Sequence, residues 1–423
     1  MSTQLKISCF GCGQKLDVSE LEPFVKVPCP SCDTELIIPR PFDSYLLEER
    51  LDRTRMTTVY RAMDLALDRE ICVKVLNPEF ARTAETASLF INEASMASAI
   101  NHPNVVPIYT CGETEGQPYI VMQFMPRGGL DKYYLFNGPG LPEQDVCHWH
   151  LEAAKGLESA YNHGILHHDL RPSNILLDFD NNVKVADFGL ARVICGNQPL
   201  VDRENGDECP VTAEEAAFIS PERISTGRED VRGDIYSFGA SIYFLLTGRP
   251  PFAGESAHEV INARFGGDPP PPREYRKDIS PKLDELVSCM LAVYPRERPR
   301  SYREVVAELT SIVGDAPVPT VVIGDDAAGL PIAQPVGPPP AARAKVPPKS
   351  GRQKKVITLT QTKVQRLIQE PQAQTPAGSD RDLTYWLWRL IPLLLILSIL
   401  LFVILVAADP SWSWYQNLLR PSL

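Results

Sequence analysis

Ile165-Leu-His-His-Asp-Leu-Arg-Pro-Ser-Asn174 is the stretch that decides how the rest of the chain is read. Asp187-Phe-Gly189 follows, with Asp187 thirteen residues after Asn174. Between them, Ile175-Leu-Leu-Asp178 and Val183-Lys-Val-Ala186 read as two short strands joined by an Asn-rich turn. A hairpin of that size returns Asp187 to the neighbourhood of Asp169 and Asn174. Three oxygen-bearing side chains converging on one point suit Mg²⁺ and a nucleotide phosphate.

The pattern resembles the catalytic core of protein kinases, His-Arg-Asp-Leu-x-x-x-x-Asn followed by Asp-Phe-Gly. The likeness runs from roughly Phe42 to Gly314, with its motifs in the family's order. It implies an α+β, two-lobed kinase fold that takes ATP with Mg²⁺ or Mn²⁺. By residue, it implies that Asp169 accepts the proton of the substrate hydroxyl and that Asn174 and Asp187 hold Mg²⁺. Arg171 stands where the family has the Lys that contacts the γ-phosphate. A basic residue there points to Ser or Thr on a protein substrate as the acceptor.

Upstream, Val59-Tyr-Arg-Ala62 and Ile71-Cys-Val-Lys-Val75 alternate as strands do. Ile71-Cys-Val-Lys74 stands for the family's Val-Ala-Ile-Lys, which makes Lys74 the ligand of the α/β-phosphates. Residues 84–100 read as a helix, with Ala87, Phe90, Ala94 and Ala97 at helical spacing and Glu93 beside that stripe. The resemblance makes Glu93 the ion-pair partner of Lys74. Leu51 and Val59 are apolar covers for adenine. Gln123-Phe-Met125 occupies the hinge; core packing explains Met122 and Met125 equally well.

Several positions depart from the pattern. Aligned on Val59, the three loop glycines fall at Asp52, Thr54 and Thr57. Side chains there hold the backbone farther from a phosphate, and Asp52 adds a repelling charge. His168 replaces the Arg before the catalytic Asp. Glu215 replaces the substrate-loop Thr and is expected to point outward, away from Asp169. Between Leu190 and Ile219 the one hydroxyl residue is Thr212, so activity is not expected to depend on phosphorylation of that segment. Phe218-Ile-Ser-Pro-Glu222 matches the segment's Ala-Pro-Glu end. Asp234 is expected to brace the catalytic loop, and Arg298 to pair with Glu222.

The chain has 423 residues, 44% hydrophobic and 22% charged, which is ordinary for globular protein. A net charge of −11 spread along the chain does not indicate a nucleic-acid partner. Ten Cys are present, six of them scattered singly, which argues against a disulfide framework and for a reducing compartment. The other four form two pairs, Cys9-Phe-Gly-Cys12 and Cys29-Pro-Ser-Cys32. Their spacing fits a four-thiolate structural zinc site. Residues 1–40 are thus expected to be a zinc ribbon, folded by its metal and available to a protein partner.

The kinase-like region is expected over 42–314. Residues 315–382, rich in proline, read as a disordered linker, and Arg343 to Arg366 holds eight basic residues and no acidic one. Leu390 to Ala408 is nineteen residues without charge, enough to cross a bilayer. Trp386 and Trp388 precede it; Trp412, Trp414 and Tyr415 follow. A single transmembrane helix is expected over 387–408, with 409–423 as a short outer tail. The positive-inside bias puts the ribbon and kinase domain in the cytoplasm. The resulting expectation is a membrane-anchored Ser/Thr kinase in signalling. The competing reading is a pseudokinase scaffold without turnover, which the missing glycines favour.

Overall fold

Residues 5–38 fold as two hairpins. β1 (Lys6–Ser8) pairs with β2 (Lys15–Asp17), and β3 (Lys26–Pro28) with β4 (Glu35–Ile37), both antiparallel. Each carries a Cys-x-x-Cys in its turn. The N–H of Cys9 donates to the Gln14 carbonyl and that of Cys29 to the Thr34 carbonyl, each at 2.9 Å. Gly13 and Asp33, directly after each second Cys, both take positive φ, 68° and 57°. Gly and Asp are among the few residues that visit this region at low cost. Leu16, Val18, Val27, Leu36 and Ile38 are buried and form the small core.

The main sheet follows in the order β5 (Arg40–Phe42), β6 (Tyr45–Arg53), β7 (Thr57–Asp64), β8 (Arg69–Leu76), then β10 (Gln117–Gln123) ahead of β9 (Ile108–Thr114), all antiparallel. Strand alternation sorts β8 into two faces. Ile71, Val73 and Val75 pack with Phe42, Tyr45, Leu47 and Tyr119. Cys72 and Leu76 pack on the opposite side with Phe90 and Ala94 of the helix Ala84–Ala97. Lys74 shares this second face. The outer face is partly covered by the first module, whose Phe24 stacks on Tyr60 with ring centroids 5.5 Å apart.

In the second lobe, helix Glu143–Asn162 buries Val146, Trp149, Ala153, Leu157 and Ala160, one face at helical spacing. Helix Val231–Thr247 is buried along nearly its whole length, as the central helix of a lobe. Helix Tyr302–Val313 packs on Glu143–Asn162. A small sheet, β11 (Gly128–Gly129), β12 (Ile175–Leu177) and β13 (Val183–Val185), sits between the lobes; Ile175 faces Val185 and Leu177 faces Val183. The expected hairpin is there. Arg298 meets Glu222 with two parallel bonds of 2.7 and 2.9 Å, also as expected.

This computed structural model describes residues 5–138, 140–189, 211–314 and 356–361, all in a unit spanning Met1–Gln365. The segment 190–210, most of the linker, the apolar run 387–408, the tail 409–423 and a second unit, Arg366–Leu423, lie outside the described residues. Among the described residues no helix is long and apolar enough to cross a membrane. The expectation of a wholly disordered linker needs one correction. β14 (Ile357–Thr358) pairs in parallel with β2, giving the sheet order β1-β2-β14.

Candidate active site

Two loops and one strand bring the site together. The catalytic loop is held by its own backbone. The N–H groups of His167 and His168 donate to the two oxygens of Asp234 at 2.7 and 2.8 Å. The His167 ring is fully buried, and burial pushes its pKa down to about 4, so it is neutral. Its Nε2 reaches the Ala186 carbonyl at 2.7 Å as donor, while its Nδ1 accepts from the Asp169 N–H at 3.2 Å. One imidazole thus ties the loop to Ala186, directly after β13 and next to Asp187. The Ala186 N–H donates to the Asn174 carbonyl at 2.9 Å, and the Gly189 N–H to the His167 carbonyl at 3.1 Å.

Asp169 and Asn174 meet directly. Asn174 Nδ2 donates to the Asp169 carbonyl at 2.7 Å and to its carboxylate at 3.1 Å. Burial raises the Asp169 pKa; Arg171 opposes this, while Glu215 and Asp187 add to it. Arg171 Nε lies 3.5 Å from the Asp169 carboxylate, and its Nη1 lies 3.8 Å from Glu215. Glu215 therefore faces the catalytic loop, contrary to the outward orientation expected from charge repulsion. The physical reason is Arg171, whose planar cation sits between the two carboxylates. Glu215 is also pinned from behind. Its Oε2 accepts from the Thr212 N–H at 2.9 Å, and its own N–H donates to Thr212 Oγ1 at 3.1 Å, a capping box.

Lys74 projects from β8 between Val59 of β7 and Ile120 of β10. Its ammonium lies 2.9 Å from the Asp187 carboxylate, which is lowered in pKa although burial works against it. Among the described ion pairs, that of Lys74 is with Asp187 rather than with Glu93. Glu93 is buried and turns instead toward Gly189, where an added Cβ would stand 2.2 Å from its Oε2. The Lys–Glu pair belongs to the catalytically assembled arrangement of this fold. Here one ammonium has two candidate carboxylates and takes the one that β13 delivers.

The turn without glycines is held tightly. The Asn77 side chain donates to the carbonyls of Thr54 and Arg55 at 3.1 and 2.8 Å and accepts from Thr58 Oγ1 at 2.7 Å. Met56 is buried in the cluster that contains Cys72, Met122 and Met125. Asp52 is exposed, with its carboxylate on the Arg53 N–H at 2.8 Å. Asn77 and Met56 were not singled out in the sequence; a polar residue directly after an apolar strand was the only available hint. Leu51 and Val59 are half-buried. Met125 is buried with Met122 in the core cluster, as the plain packing reading allowed, and the Gln123 N–H is engaged by the Pro107 carbonyl at 3.1 Å.

His168 has an unforeseen partner. Its Nδ1 lies 2.8 Å from Glu229, which also accepts from Ser220 Oγ at 2.7 Å and from Arg223 at 2.9 Å. Away from this cleft, the four cysteines Cys9, Cys12, Cys29 and Cys32 are thiols whose sulfurs all lie within 4.8 Å of one another. Two of the separations are 3.6 and 3.8 Å.

The two-lobed architecture and the Lys, Asp, Asn and Asp-Phe-Gly cleft define a protein kinase fold. The comparisons agree. A family model described as "Protein kinase domain" matches residues 45–309. The chain is 35% identical over 291 residues to serine/threonine-protein kinase PknB of Mycolicibacterium smegmatis, covering 67% of this chain and 45% of that one. It is 32% identical over 275 residues to PknL of Mycobacterium tuberculosis, 65% of this chain and 67% of that one. The solved PknI kinase domain of Mycobacterium tuberculosis is similar at a TM-score of 0.51 and 26% identity, covering 64% of this chain and 97% of that domain. This chain belongs to the protein kinase family, in its bacterial serine/threonine branch. The match spans less than half of the PknB relative.

Proposed function

We propose that this chain is a serine/threonine protein kinase that transfers the γ-phosphate of ATP to hydroxyls of proteins, its own included. The observation that carries the reading is the meeting of Asp169, Asn174, Lys74 and Asp187 in one cleft. Asp169 takes the proton of the acceptor hydroxyl, and its raised pKa makes it a better base than an exposed carboxylate. Arg171 orients that carboxylate and offers cationic charge to the transferred phosphate. Lys74 binds the α/β-phosphates once it leaves Asp187. Leu51, Val59, Gln123 and Met125 frame the adenine.

Asn174 commits its N–H₂ to Asp169, which leaves its amide oxygen for another ligand. With the Asp187 carboxylate this makes a pair of hard oxygen donors that fits Mg²⁺, or Mn²⁺ in its place. The ion would neutralise phosphate charge there. Calorimetric titration with ATP analogues tests the reading. Binding should require the divalent ion and be lost in Asp187→Asn; binding indifferent to both would count against it.

The four thiols fit zinc. A tetrahedral ion with Zn–S near 2.3 Å holds its sulfurs about 3.8 Å apart, close to the separations found. Cys9, Cys12, Cys29 and Cys32 leave no open position, so the metal is structural, and the ribbon is open to a protein partner. Membrane anchoring through 387–408, with the kinase domain cytoplasmic, rests on the sequence. Its test is carbonate-resistant pelleting with membranes, which deletion of 387–408 should abolish.

A further inference from the structure

β14 rests on the ribbon in a specific way. Ile357 is registered opposite Leu16 and Thr358 opposite Asp17, and the Leu359 N–H donates to the Asp17 carbonyl at 2.9 Å. Leu359 is fully buried and Ile357 half-buried, while Val356 and Thr358 are exposed. That is the period-two pattern of a strand laid on a core. The receiving edge invites it. A hairpin of two three-residue strands is marginal, and its open edge presents unsatisfied N–H and C=O groups. With β14 in place, β2 becomes a central strand.

We propose that the ribbon is a clamp for the chain's own tether, capturing residues 356–361 in cis as a third strand. The proposal rests on the zinc reading of the ribbon only insofar as metal folds the receiving sheet. One buried leucine and a few backbone bonds are a weak contact between separate molecules, because ordering the segment offsets them. On one chain the segment is supplied at an effective concentration on the order of millimolar, enough to populate a weak site and leave it displaceable. Capture changes reach. Residues 315–386 are 72 residues between the kinase domain and the apolar run; with 356–361 docked, only the 25 residues 362–386 lead away from the folded body. A docked tether thus restricts which acceptors the cleft can approach, and a competing strand would lengthen it.

Hydrogen exchange by mass spectrometry on the full-length, zinc-loaded chain in detergent tests this. Amides of 357–361 should exchange at least tenfold slower than in Leu359→Asp, a variant outside the ribbon that should retain one zinc per chain. Chelation should release the same amides and leave those of 146–160 unchanged. Wild-type exchange at free-peptide rates with zinc bound, or protection unaltered by Leu359→Asp, overturns the capture. Protection that disappears on dilution with a dimer-to-monomer change in light scattering overturns the cis arrangement. If no zinc is bound and the Leu359-dependent protection persists, the capture stands and the metal reading falls.

Discussion

The Lys74 ammonium sits 2.9 Å from Asp187 while the Glu93 carboxylate lies beside Gly189. The groups that would handle phosphate and metal thus neutralise each other. Lys74→Met should lower phosphotransfer on the order of a hundredfold, the usual scale for losing one electrostatic contact to the reacting group. It should also remove the share of acid sensitivity that this pair contributes. Burial works against the ionised Asp187, yet Lys74 holds its pKa below the ordinary value. The stabilisation is therefore present above the unfolded carboxylate pKa and lost as pH falls through the folded value. Breaking a fully buried pair costs roughly 3 kcal/mol or more, and the 24% exposure of Asp187 makes this pair worth less. Urea unfolding of both proteins at neutral and acidic pH measures the difference, which should shrink as pH falls.

Burial of Asp169 sets the acid limb of the pH–rate profile, and Glu215 adds to its effect. A general base works ionised, so a raised Asp169 pKa places the fall in rate at higher pH than for an ordinary aspartate. Glu215 contributes to that rise, so Glu215→Gln should move the limb to lower pH. Glutamine preserves the capping box, and the fold should be unaffected. Arg171→Gln should move the limb the other way. Profiles of kcat/KM against pH report both shifts.

Glu229 holds three donors at once, with side-chain exposure of only 2%. Glu229→Ala strands the buried Arg223 guanidinium, a change that costs about 3–5 kcal/mol. It also frees His168 beside the catalytic Asp. Thermal unfolding should show the loss directly, and the activity of the surviving folded fraction should fall as well.

Thr212 is an exposed helix cap. Thr212→Ala should cost about 1 kcal/mol, as removal of such caps does, and leave the specific activity intact. Abolished transfer at undiminished folding would show that Thr212 is a required phosphorylation site.

The catalytic loop, the hairpin and the Lys74 strand were legible because each is written locally, in a motif or a period-two pattern. The choice of Lys74 between Asp187 and Glu93 was not, because it depends on how the helix Ala84–Ala97 is rotated on the sheet. The inward turn of Glu215 could have been read. Thr212-x-x-Glu215 is a capping box in plain sequence, and it fixes the side chain's direction. Asn77 as the fastener of the glycine-free turn could not, since its partners lie about twenty residues upstream. Val356-Ile-Thr-Leu-Thr360 alternates as strands do, but a stretch that short is a strand only when an edge receives it.

The most direct measurement is transfer of radiolabelled phosphate from ATP by the full-length protein and by Asp169→Asn. The wild type should label itself or a generic protein substrate with Mg²⁺ or Mn²⁺. The variant should fall by at least about a hundredfold, the share a positioned base supplies. Equal labelling by the two proteins, or none by the wild type with either ion, would contradict the account.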